Sequence, residues 1–413
     1  MALAYSVGAA ERVHAAAAPA DQRAYRLSSI DMVRGLVIVI MAIDHVRDLL
    51  MVAAQQDPMA DPNVSVGLFV TRWITHFCAP VFVLLAGTSA GLVGARKSPA
   101  YLTRFLMTRG LWLIFVEVAV ISTEASFKPL GIPEAGGATV LILQVIWVIG
   151  ASMILLAAFQ WLGRPACLGI GAAILLTHNV LDSWWPPNNP FAENRPLWVA
   201  LHAQTAYRAG HFLILVIYPL LTWVGVMLAG FGVAGVFEMP ARRRNQALRR
   251  IGFALTAAFV VVRALDIYGD PNPWQLQPGG LTRTVVDFIN TTKYPPSLDF
   301  LLMTLGPAAI LCSFADRFSG RLKDGLVTFG RVPFAFYVAH FLLIHTIGVI
   351  VGVLQGFQAR QLMTLFFYYP KGYGINLPAV YAVWLLVIAV LYPWCRWMAA
   401  LKARRRDWWL SYV

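Results

Sequence analysis

Five ionisable residues stand together in a stretch that is otherwise apolar: Arg34, Asp44, His45, Arg47 and Asp48, within RLSSIDMVRGLVIVIMAIDHVRDLL at 26–50. An imidazole can take a proton near neutral pH, a carboxylate can fix its tautomer, and a guanidinium grips anions. Burying such groups in hydrocarbon costs several kcal/mol unless they are paired or solvated, so a membrane segment that carries them reads first as a functional site. The spacing sharpens this. Arg34 and His45 are eleven positions apart. At 100° per residue they return to nearly one helix face, roughly 16 Å apart along the axis. A cation near one membrane surface and an imidazole deeper inside then look along one line. That arrangement suits a long ligand with a charged end at the surface and a reactive end in the middle.

Each of these residues also has a plainer reading. His45 could be a buried histidine bonded to backbone on a helix face. Adjacent helix positions point about 100° apart, so Asp44 could serve His45 or pair instead with Arg47 or with another helix. His76 has Arg72 and Thr75 beside it, which makes a polar face that could be catalytic or only structural. His340 and His345 are five positions apart and on different faces, so their helix alone does not make a metal site, although either could line a cavity. Arg104 and Arg109 read either as ordinary basic residues of a cytoplasmic rim or as phosphate-binding forks.

The elements that must position these groups are membrane helices. The chain of 413 residues is 59% hydrophobic and 13% charged, with mean hydropathy +0.65; a soluble domain carries nearly twice that charge. The net charge of +13 does not point to nucleic acid, because the basic residues fall in short clusters between apolar segments, where they orient helices. About ten stretches are long enough to span, near 30–53, 67–94, 106–124, 138–160, 166–181, 211–237, 251–268, 298–315, 326–354 and 378–400, with Pro219 and Pro307 interrupting two of them. Arg23 and Arg26 before the first segment, and basic clusters after the second, sixth, eighth and tenth, fall on one side of a ten-span chain. The expectation is therefore an all-α integral membrane protein of about ten helices with both termini cytoplasmic. The opposite loops, 125–137, 182–210, 269–297 and 355–377, are longer. Trp184, Trp185, Trp198 and Trp274 there could stack on sugar rings or anchor the interface. Seven of the eight histidines, all but His14, lie on or toward that outer side, which predicts a cavity opening outward. Cys78, Cys167, Cys312 and Cys395 show no paired metal spacing and read as small core residues. GTSAG at 87–91 reads as a stripe for close helix packing. Residues 1–25 lack a sustained apolar core and read as a poorly ordered tail, 26–405 as the membrane domain and 406–413 as a cytoplasmic tail.

SIDMVRGLVIVIMAIDH, APVFVLLAGTSAG at 79–91, KYPPSLDFLLMTLGP at 293–307 and FGRVPFAFYVAHF at 329–341 resemble the bacterial branch of the heparan-alpha-glucosaminide N-acetyltransferase-like membrane proteins. The resemblance runs from about 26 to 400. The interval from Arg34 to His45 is similar to the Arg/Lys-x10-His motif of the wider transmembrane acyltransferase superfamily. This resemblance implies transfer of an acyl group, acetyl above all, from cytoplasmic acyl-CoA to a hydroxyl or amine of an extracytoplasmic saccharide or glycan in a bacterial inner membrane. By that resemblance Arg34 and His45 carry over by position, and Arg104 and Arg109 match a basic inner rim. The catalytic candidates are then His45, Asp44 and His76; the cofactor-binding candidates are Arg34, Arg104 and Arg109; His340, Arg47 and Asp48 are candidates for holding the acceptor. No metal is expected, and the partners are membrane lipid, acyl-CoA and the acceptor, with a homo-oligomer compatible. One departure stands out: the animal lysosomal enzymes are similar to a scheme with the active histidine in a loop after the first helix, whereas no histidine occurs here between His45 and His76.

A thioester is already activated, so His45 as general base on the acceptor is preferred to an acyl-histidine intermediate, with the covalent route still open. Two rivals differ in class. A transporter or flippase of an anionic or lipid-linked solute would move substrate unmodified. A bis-histidine haem protein could use ligands such as His45 and His340 on different helices.

Overall fold

The charged segment forms one continuous helix, α1 (Ser28–Leu50), with buried residues on every face. The computed structural model describes residues 28–52, 59, 61, 64–128, 131–184, 195–405 and 407–412. The expected tail 1–25 with His14, and Arg26, Trp185 and Arg406, lie outside the described residues, as does the side chain of Trp184. After α1 come α2 (Val66–Thr75), α3 (Cys78–Gly94) and α4 (Pro99–Val116), the last running into a π-turn at Glu117–Ile121. Strand β1 (Thr139–Leu143) leads to α5 (Val145–Phe159) and α6 (Arg164–Thr177). A hairpin, β2 (Thr205–Ala209) and β3 (Phe212–Val216), precedes α7 (Leu220–Gly232) and α8 (Ala241–Leu265). The chain ends with α9 (Leu298–Phe314), α10 (Arg321–Arg331), α11 (Pro333–Leu354) and α12 (Leu377–Arg404).

Eight helical stretches among the described residues are long and apolar enough to cross a membrane. Helices α1 and α8 are as long but carry Asp31, Arg34 and Asp44, or Arg249, Arg250 and Arg263, along their length. The architecture is helical throughout, apart from one small sheet.

That sheet corrects two expected spans. The segment near 138–160 becomes helical only at Val145, because Thr139–Leu143 pairs in parallel with Phe212–Val216, which also lies before its own helix. Strand β2 pairs antiparallel to β3 through a turn at Gly210 and His211, with Gly210 at φ 58°; a two-residue hairpin needs the left-handed conformation there. Hydropathy alone does not separate such β-branched runs from a helix start. Pro219 stands at the extended N-cap of α7 and does not interrupt a helix, while Pro307 lies inside α9. The segment near 326–354 is broken at Val332 (φ −132°, ψ 48°), because a residue before proline is pushed out of the α region.

Helix α1 packs against α2, α3, α10, α11 and α12. Its closest approach is to α10, where a Cβ on Gly35 would overlap the Leu326 carbonyl oxygen and one on Gly330 would overlap that of Asp31. The GTSAG stripe behaves in the same way: a Cβ at Gly87 would overlap the Met227 carbonyl of α7. In a bilayer, where burial from lipid gives helices little reason to associate, such backbone proximity supplies dispersion contact. Gly35→Ala is therefore expected to push α1 off α10 at a cost of about 1–3 kcal/mol, read as a lower thermal unfolding midpoint in nanodiscs.

Candidate active site

His45 lies three helical turns along α1 from Arg34, and it does not lean on its neighbour Asp44. Its Nδ1 lies 2.6 Å from Nε2 of His340 on α11, with the two rings stacked at 4.9 Å between centroids. His340 is fully buried, and its Nδ1 faces the carbonyl oxygens of Phe336, at 3.1 Å, and Tyr337. Carbonyl oxygens only accept, so Nδ1 of His340 carries the proton and its Nε2 offers a lone pair. Nδ1–H of His45 then donates to that lone pair, which leaves the second lone pair of the dyad on Nε2 of half-buried His45. The chain of bonds fixes the tautomer in which His45 can accept a proton.

Asp44 takes the other course open to it. Its carboxylate accepts from Arg47 at 3.1 Å and from Arg72 of α2, while Arg47 also donates to Asp48. All four are joined in one ion network at the outer end of α1, with Asp44, Arg47 and Arg72 buried. The structure thus places Asp44, Arg47 and Asp48 together but engages them with one another. His76 is buried at the C-cap of α2 against the Phe300 ring, 5.3 Å away, with no hydrogen bond to its Nδ1. It does not join the His45–His340 pair.

A cavity of about 480 Å³ runs below that pair. On α1 it is lined by Ile30, Arg34, Ile38 and Met41, and on α11 by Pro333, Phe334 and Tyr337. The next step along each stripe is His45 and His340. At its far end lie Arg34, Arg109, Arg331 and Lys402. Arg34 donates to Ser89 of the GTSAG stripe at 3.0 Å, and Arg109 stacks over Phe105 at 4.9 Å with its Nε unpartnered. Arg104 is exposed on α4 and does not line the cavity. The residues after 405 close on this end: Trp408–Ser411 forms a 3-10 turn, Leu410 is buried, and Trp112 donates to the Tyr412 carbonyl at 3.1 Å.

This cavity has its charged end at the side expected to be inner, so the outward-opening cavity suggested by the histidines is not the one lined here. The outer histidines are dispersed into separate contacts. His202 bonds Asp182 at 2.8 Å with His178 beside it, the rings 6.1 Å apart. His345 is held between the carbonyls of Glu124 and Leu362, and His211 is exposed in the hairpin turn. No three metal-ligating side chains converge among the described residues. Cys78, Cys167, Cys312 and Cys395 are buried free thiols. Trp274 packs on Phe288 at 5.3 Å. Direct contact of the His45 and His340 rings leaves no gap for a haem iron between their nitrogens.

The model of the family described as heparan-alpha-glucosaminide N-acetyltransferase, catalytic, matches residues 26–269. The chain belongs to this family. Comparison with curated proteins finds no match. The acetyltransferase family match covers Arg34, Asp44, His45, Arg47, Asp48, His76, Arg104 and Arg109, and ends before the sequence motifs at 293–307 and 329–341. His340, Arg331 and Lys402 therefore enter the site of this membrane acetyltransferase through the fold alone. Of these, the HF dipeptide at 340–341 was legible as a candidate, while Lys402 looked like one more basic residue after the last helix.

Proposed function

We propose that the protein transfers an acetyl group from cytoplasmic acetyl-CoA to a hydroxyl or amine of an extracytoplasmic saccharide, in a bacterial inner membrane, with His45 as general base. In this reading α1 and α8 complete ten spans, residues 26–405 form one catalytic unit, and both termini are cytoplasmic. The observation that carries it is the continuity of the α1 stripe: a basic rim at Arg34, an apolar channel past Ile38 and Met41, and an imidazole next in line. From Ile30 to Met41 the channel is roughly 16 Å long, a length that suits an extended pantetheine arm, and Arg34, Arg109, Arg331 and Lys402 would meet the phosphates.

The acceptor approaches His45 from the outer side and attacks the thioester carbonyl carbon while Nε2 of His45 takes its proton. The C–S bond then breaks, and the CoA thiolate leaves with the proton returned by the imidazolium. His340 stays neutral and positions the ring. Asp44, Arg47 and Asp48 hold the outer end of α1, where they border the acceptor's approach, and Arg72 ties that end to α2.

The test is binding followed by turnover. CoA should raise the thermal midpoint of the purified protein, and acetyl-CoA with glucosamine should release free CoA thiol. Arg34→Ala and Arg109→Ala should each raise the Kd for CoA about tenfold, equivalent to about 1.4 kcal/mol, by isothermal calorimetry. No stabilisation by CoA, together with unmodified solute crossing vesicles, would sink the reading in favour of a transporter.

A further inference from the structure

The upper end of the cavity holds a hydrogen-bond donor with nothing to donate to. Tyr337 lines the cavity and is 4% exposed, and its hydroxyl has no hydrogen-bond partner. Its ring meets His45 edge-on at 6.2 Å and leans on His340 at 5.4 Å, so it sits beside the proton-accepting pair. A buried phenol left unpaired loses the water it had when unfolded, and a phenylalanine would fill the space without that loss. The other donors at this end are already engaged. The first backbone N–H groups of α5, at Ile146 and Trp147, lie where a developing negative charge would favour a helix N-terminus. Both are taken by Oε2 of Glu117, at 3.1 and 3.0 Å. Glu117 reaches them from the π-turn, in a helix distortion that recurs at functional sites. Ser152 is also buried and unpartnered but does not line the cavity.

We infer that the Tyr337 hydroxyl donates a hydrogen bond to the thioester carbonyl oxygen and holds the oxyanion that forms when the acceptor attacks. This rests on the acyl-CoA reading of the cavity. In balance, the acceptor's lone pair makes the new bond to carbon, the carbonyl π pair moves onto oxygen, and Tyr337 shares its proton with that oxygen without giving it up. Collapse returns the pair, expels the CoA thiolate, and His45 passes the acceptor's proton to sulfur. A donor aimed where charge develops acts on the transition state and hardly on the ground state. Tyr337 then belongs with His45 among the groups that touch the reacting atoms.

Tyr337→Phe keeps the ring contacts and removes only the donor. With acetyl-CoA and glucosamine, kcat should fall about 10²–10³-fold, the usual effect of losing one such donor. The KM for acetyl-CoA, the Kd for CoA, which lacks the carbonyl, and the thermal midpoint should stay within twofold or a degree or so of wild type. Turnover within twofold of wild type would overturn the inference while leaving the acyl-CoA reading intact. A parallel loss of CoA binding or of thermal stability would overturn it too, by making Tyr337 a packing residue. A wild-type protein that neither binds CoA nor releases its thiol would remove the underlying reading, and this one with it.

Discussion

His45→Ala lowers kcat for acetyl transfer by about 10²–10⁴-fold, the range contributed by a positioned general base, while KM for acetyl-CoA and the thermal midpoint change little. The separation of the two ends of the cavity is the reason. Phosphate recognition would reside at Arg34, Arg109, Arg331 and Lys402, roughly 16 Å of helix away from the imidazole. Release of free CoA thiol under saturating acetyl-CoA and glucosamine checks the effect. His340→Ala should fall between wild type and His45→Ala, because it removes the acceptor that fixes the His45 tautomer but leaves Nε2 of His45 in place. Retained turnover in His45→Ala would take the imidazole out of the chemistry, and His76, buried against Phe300, would be the next residue to test.

Asp44→Ala is expected to be the most damaging change to stability in the site. Arg47 and Arg72 share this carboxylate, and all three side chains are buried. Removing one partner of a buried ion pair costs about 3–5 kcal/mol, because the remaining charge is stranded in a poorly solvating environment. Here two guanidinium groups would lose it, with Asp48 left to pair Arg47. Asp44→Asn keeps the oxygen and loses the charge, so it should fall between. The measurement is the thermal midpoint and the yield of monodisperse protein in nanodiscs. The expected pattern also separates structural from chemical roles: Asp44→Asn should reduce folded protein more than kcat per folded molecule, and His45→Ala the reverse. A midpoint for Asp44→Ala within a degree of wild type would mean that the two arginines find other partners.

The network explains why Asp44 stands next to His45 without touching it. Successive side chains on α1 diverge by about 100°, so Asp44 faces α2 and Arg72, while His45 faces α11. The same divergence separates His340, which meets His45, from His345, which clamps the loop carbonyls of Glu124 and Leu362. A cluster of ionisable residues in the chain thus resolves into a structural network and a chemical pair, each facing a different helix.

Local information in the chain was enough for the helical membrane architecture and for the shared face of Arg34 and His45, because both depend on helix periodicity and on apolar length. It also marked the small residues of GTSAG as a packing stripe, since only their size was needed for that. The strand character of Thr139–Leu143 was hidden because a short β-branched run looks like the start of a helix until its partner strand is placed. The tertiary structure alone decided that His45 pairs with a histidine 295 positions away, that Arg72 claims Asp44, and that the cavity ends at Tyr337. Each of these depends on which helices α1 meets and at what rotation, and that is set by glycine-mediated backbone approach and side-chain interlock across the bundle, which no single segment encodes.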